Sequence, residues 1–155
     1  VELESTRYPF CFFGDGASPD STRSVLPFVA FNEDLNRLTL IVKGLAGGKA
    51  TVAWGPGAPG SKSFTAEQLA QGINLAAEFP DNPFCAAFQK VDGAVAAKQN
   101  FETWLIKSNR MAPAGTLKAK SPRWPATALA EYDALVKAVR AAFVPVKHTL
   151  TVTPE

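Results

Sequence analysis

An α+β fold is predicted, an antiparallel β-sandwich-like core with an inserted α-helical hairpin and a returning C-terminal strand. Three features of the sequence carry that prediction. Residues up to about 79 hold short β-branched and aromatic segments between Gly- and Pro-rich turns. Residues of about 82–143 hold two stretches with apolar side chains at helical spacing, and residues 148–153 (HTLTVT) alternate once more. A single domain over 1–155 is expected, with the β part at about 1–79, the helical hairpin at about 82–143 and the final strand at about 147–153.

Taken in order, residues 1–4 (VELE) alternate as a first strand. Residues 24–29 (SVLPFV) follow a polar loop and predict a strand that is bulged or lies at an edge, because Pro27 has no N–H to give a ladder. Residues 37–43 (RLTLIVK) have the strongest β-branched content, and the turn residues 44–48 (GLAGG) predict a hairpin into 49–54 (KATVAW). A short returning strand is expected at 61–64. Thr65-Ala66-Glu67-Gln68 is a capping box, with Thr65 at the N-cap and Gln68 at N3, and Gly72 ends that helix. Asp81 or Asn82 caps the next helix, Pro83 sits in its first turn, and Phe84, Phe88, Val91 and Val95 form one buried stripe. The pattern continues through Phe101, Trp104 and Leu105 to about Lys107, with Trp104 read as core and Gly93 as a weak point. Residues 109–125 form a Pro/Gly/Lys-rich loop. A second helix starts at Ala126, places Leu129, Tyr132, Leu135 or Val136, Val139 and Phe143 on one face, and stops before Pro145. The sheet should hold about five to seven strands.

Composition narrows the function classes. The chain has 155 residues, 46% of them hydrophobic, and a formal net charge of +2. Its basic residues are scattered, which leaves no footprint for nucleic acid or an anionic membrane surface. No apolar run approaches the roughly 20 residues that cross a bilayer. The start lacks both an initiator Met and the basic, then apolar, pattern of a secretion signal. A soluble mature product, or a fragment of something longer, is the expectation.

The stretch WGPGAPGSKS, residues 54–63, superficially suggests a phosphate loop. Gly55 and Gly60 match the separation in G-x-x-x-x-G-K-S/T, but Ser61 stands between Gly60 and Lys62, and Pro56 and Pro59 remove two backbone donors. A hairpin tip is the simpler reading. Two cysteines, Cys11 and Cys85, permit one disulfide without requiring it, and buried free thiols fit their apolar settings. With His148 the only histidine and no Cys/His ligand spacing, no metal site is expected. The acidic turn at 14–20 (GDGASPD) lacks the alternating ligands and distal Glu of a calcium loop.

No catalytic constellation emerges. There is no G-x-S-x-G elbow and no H-E-x-x-H, His148 has no acid partner nearby in sequence, and no pair of carboxylates stands in an apolar setting. His148 is expected to be structural or exposed. Flat aromatic faces beside polar groups suit sugar binding, so Trp54, Trp104 and Trp124 are candidates, Trp104 fitting core packing better and Trp124 following Lys118, Lys120 and Arg123 in the 109–125 loop. The candidate binding residues are Arg110, Arg123, Trp124 and Trp54. No cofactor is implied.

From Leu35 to Leu75 the chain reads L-N-R-x-x-L-x-V-x-G-L and then F-T-A-E-x-L-x-x-G-x-N-L. Together with NPFCAAFQKVDGAVAAKQNFETW and the closing HTLTVTP, this resembles the C-terminal region of bacterial SGNH (GDSL-type) esterase/lipase superfamily hydrolases. The family's catalytic residues lie in a G-D-S block, in later blocks supplying the oxyanion-hole Gly and Asn, and in a D-x-x-H block. None transfers here: Gly16 stands where the nucleophilic Ser would follow Gly14-Asp15, and Pro145 stands where the Asp would precede His148. The resemblance therefore implies a non-catalytic accessory region beside an SGNH catalytic domain in a secreted or periplasmic hydrolase of acylated carbohydrate. Two alternatives stay open, a free-standing carbohydrate-binding β-domain and an enzyme with an unrecognised site.

Overall fold

The computed structural model describes residues 1–55, 60–110 and 126–155, leaving aside the side chains of 108–110. These residues form an α+β fold whose sheets are antiparallel. Two compact units are present, one made of Val1–Phe88 with Pro145–Glu155 and the other of Gln89–Val144. Along the chain the first unit contains β1 (Glu2–Ser5), a 3-10 helix (Thr22–Val25), α1 (Phe31–Asp34), β2 (Thr39–Leu40) and β3 (Lys49–Trp54). There follow β4 (Ser61–Thr65), α2 (Ala66–Gln71), β5 (Ile73–Asn74), α3 (Leu75–Glu78) and the start of α4 (Cys85–Arg110). The second unit holds the rest of α4 and α5 (Ala126–Ala142), after which β6 (Val146–Pro154) returns to the first.

The main sheet has four strands in the order β1-β6-β3-β4, and β2 with β5 forms a separate two-stranded ladder. Alternation along β3 sends Ala50, Val52 and Trp54 inward. They meet Phe64 of β4 and Leu150 of β6, and Leu69, Phe79 and Phe84 complete this core. The expected returning strand is therefore central, with β1 on one side and β3 on the other. The β3–β4 hairpin and the capping box also form: Thr65 Oγ1 accepts from the Gln68 amide at 3.1 Å, and Gln68 Oε1 accepts from the Thr65 amide at 2.9 Å. Thr65→Ala should lower unfolding stability by about 1 kcal/mol, read from the urea midpoint; an unchanged midpoint would show the cap to be dispensable.

Several local expectations are corrected. Residues 24–29 are not a strand: the Ser21 side chain accepts from the Arg23 amide and caps the 3-10 helix, and the Phe28 amide donates to Val25 O as the turn continues. Residues 37–43 contribute only Thr39–Leu40 to a ladder, and that ladder pairs with β5, so no hairpin with residues 49–54 exists. Both edges of β3 are already taken by β4 and β6. Asn74 fixes the alternative: its Oδ1 accepts from the Leu38 amide at 3.0 Å, and its Nδ2 donates to Asn32 O and Asn36 O. Gly72, at φ +107°, lets α2 end against β2, since a Cβ there would lie 3.0 Å from Thr39 Cγ2.

In the second unit, Trp104 is 58% exposed rather than core. Its neighbour Leu105 is buried, and successive helix positions point about 100° apart, so Trp104 turns outward and packs its ring on Phe101. On α5, Tyr132, Leu135, Val136 and Val139 of the expected stripe are half-buried, whereas at its ends Leu129 is exposed with Ala128 buried beside it, and Phe143, just beyond the helix, is exposed. Lys98 Nζ lies 2.6 Å from Glu102 and 5.1 Å from the centre of the Tyr132 ring. No helix among the described residues is long and apolar enough to cross a membrane.

Candidate functional site

Two neighbouring strands build the most distinctive polar arrangement of the first unit. β3 ends on Trp54, and β6 brings His148 inward beside it, two residues before Leu150, the register partner of Trp54. The indole Nε1–H donates to His148 Nδ1 at 3.0 Å, and the Phe84 ring lies 5.0 Å from the imidazole, centre to centre. His148 is 8% exposed. Its Nδ1 accepts the indole hydrogen bond and so carries no proton, which places the proton of the neutral ring on Nε2. Burial holds its pKa below the ordinary histidine value.

His148 borders two clefts. One, of about 430 Å³, is lined by Glu2, Glu4, Lys147 and Thr149 with Leu3 and His148. The other, of about 310 Å³, is mainly apolar and includes Leu3, Leu38, Leu40, Phe84, His148 and Leu150. Ser5 also borders the second cleft, but its Oγ is engaged with the backbone of Arg7 at 3.1 and 3.3 Å. With Ser5 turned to Arg7 and the imidazole's basic nitrogen occupied by Trp54, these residues are not arranged as a nucleophile–base pair. What the clefts offer is binding chemistry: an apolar wall, carboxylates and an ammonium at the rim.

The predicted site residues are placed as follows. Trp54 is 2% exposed, packed between Phe79, Phe84 and His148, so its faces are closed to a sugar ring. Arg110 is the last residue of α4, and its side chain lies outside the described residues, as do Arg123 and Trp124 altogether. Lys62, which a phosphate loop would need, instead lies 3.0 Å from Glu78. Asp15 Oδ1 accepts from the amides of Ala17 and Ser18, so this carboxylate organises its own loop. Among the described residues no cluster of three or more His, Cys, Asp or Glu could hold a metal ion.

Sequence reasoning missed the Trp54–His148 bond, which joins residues 94 apart in the chain. Its only local sign is phase: each residue falls on the inward parity of its strand.

No protein-family model matches the chain, and no curated protein matches it. Among solved structures, the chain is similar to a gut microbial diltiazem-metabolizing enzyme, with a TM-score of 0.59 and 16% sequence identity. The likeness covers 99% of this chain and 43% of that enzyme. Essentially the whole chain thus shares a fold with less than half of a longer enzyme.

Proposed function

We propose that the chain is a non-catalytic accessory module of an SGNH/GDSL-type ester hydrolase acting on acylated carbohydrate, contributing a binding or docking surface beside a catalytic domain. The observation that carries this reading is the coverage: nearly all of the chain corresponds in fold to 43% of a longer enzyme, as expected of one module in a larger protein. The sequence resemblance over Leu35–Leu75 supports the family, and the absence of its catalytic blocks supports the accessory role. The occupied Nδ1 of His148 fits a chain that leaves catalysis to its partner. A secreted or periplasmic setting belongs to the same proposal, as does the finer architecture of a sandwich bearing a helical hairpin. A free-standing carbohydrate-binding domain is the second reading, favoured by the cleft rimmed by Glu2, Glu4 and Lys147.

Affinity electrophoresis through gels containing acetylated polysaccharide tests the binding surface. The intact chain should be retarded, and Trp124→Ala should lose most of that retardation with a nearly unchanged melting temperature. A variant that instead loses roughly 3 kcal/mol or more of stability, as deletion of a buried aromatic does, would place Trp124 in a core and remove the loop from the binding surface. A chain that migrates identically with and without polysaccharide would leave docking to the catalytic domain as the module's role.

A further inference from the structure

Cys11 and Cys85 come together at the start of α4, both within the first unit. Each sulfur contacts Asn82: the Asn82 amide donates to Cys85 Sγ at 3.4 Å, and Cys11 Sγ lies 3.8 Å from Asn82 Oδ1. Cys11 Sγ also lies 3.7 Å from Pro9 O, and Cys85 Sγ lies 3.5 Å from Pro80 O. They differ in access, for Cys11 is 5% exposed whereas Cys85 is only partly buried.

We propose that this pair is a thiol–disulfide exchange site, in which Cys85 attacks an oxidised low-molecular-weight disulfide and Cys11 resolves the product to a Cys11–Cys85 disulfide. Position supports the division of labour. Cys85 is the first residue of a 26-residue helix, where the helix dipole favours a thiolate. The hydrogen bond from Cys11 and the Asn82 amide lower its pKa to about 6, with Arg23 adding to this and burial and Asp81 opposing it. Cys11 is shifted the other way, by that same hydrogen bond and by burial, so it stays a protonated thiol until the mixed disulfide forms. In the first step the Cys85 thiolate attacks one sulfur of RS–SR, the S–S bond breaks and RS⁻ leaves. In the second, Cys11 attacks the Cys85 sulfur as its proton passes to solvent, the S–S bond of the mixed disulfide breaks and the second RS⁻ leaves, both RS⁻ taking up protons from solvent. Two electrons pass from the cysteine pair to the reagent, which leaves as two thiols. The bond formed would tie the 11–13 segment to the start of α4. This inference is independent of the accessory-module reading.

The test treats the reduced full chain with oxidised glutathione near pH 7 and follows intact mass. The expected product is two mass units lighter with no glutathione attached, and peptide mapping finds a Cys11–Cys85 bond. Cys11→Ala should instead stop with one glutathione on Cys85, and Cys85→Ala should remain unmodified while folded. In the unsubstituted chain, iodoacetamide labelling of Cys85 should rise with a midpoint near pH 6 rather than at the ordinary thiol value of about 8.5. A stable mixed disulfide on the unsubstituted chain, unreacted thiols after prolonged oxidation, or a labelling midpoint near the ordinary value would each overturn the proposal, and the unsubstituted chain alone suffices to decide it.

Discussion

Trp54→Ala is expected to cost roughly 3–5 kcal/mol of unfolding free energy, the range for removing a fully buried large aromatic. Three contacts set that size. The indole closes the inward face of β3, its ring packs at 5.9 Å from Phe84 and 6.3 Å from Phe79, and its N–H satisfies His148. Trp54→Phe separates packing from hydrogen bonding, since it keeps an aromatic ring but leaves His148 Nδ1 without its donor. It should cost less than the alanine variant. Urea unfolding of both variants checks the ordering, and a Trp54→Ala loss below about 1 kcal/mol, a value typical of peripheral side chains, would contradict the placement of this residue at the centre of the core.

His148 is expected to make the fold acid-sensitive. Its folded-state pKa is depressed by burial, while in the unfolded chain it should titrate near the ordinary value of about 6.5. Below that pH the unfolded chain binds a proton that the folded chain excludes, so this group's contribution to stability is full above about pH 7 and is lost as pH falls through 6.5 toward the folded pKa. Protonation would also point two N–H donors at one another across the 3.0 Å contact. The melting temperature between pH 7.5 and 5 should therefore fall, and His148→Phe should flatten that slope. The substitution should itself cost roughly 1–3 kcal/mol at pH 7.5, because the buried Trp54 N–H loses its acceptor. An unchanged slope in His148→Phe would show that another group controls the acid response.

Features written within a few residues of one another were legible in the sequence. The Thr65–Gln68 capping box, the hairpin that returns from β3 into β4, and the alternation of β6 each depend on local spacing, and each appears in the structure. Partner choice was not legible. Residues 37–43 have strong strand propensity, but a strand also needs a free edge, and β6, arriving from the far end of the sequence, takes the edge of β3 that a hairpin would have used. Residues 24–29 show the converse, where the Ser21 cap turned a β-branched segment into a helical turn. The aromatic candidate Trp54 illustrates the limit of composition: a tryptophan suits a sugar face only if the fold leaves that face open, and here β6 and the turn before α4 supply His148 and Phe84 to cover it.

Ester hydrolysis tests the central claim most directly, measured with acetylated sugars and nitrophenyl esters for this chain alone and for its full-length reading frame. The accessory-module account predicts no turnover above background for residues 1–155, and turnover by the longer protein that disappears when the Ser of an upstream G-D-S block is replaced. Turnover by residues 1–155 alone, abolished by a single substitution such as Ser5→Ala, would contradict it and make this chain an enzyme in its own right.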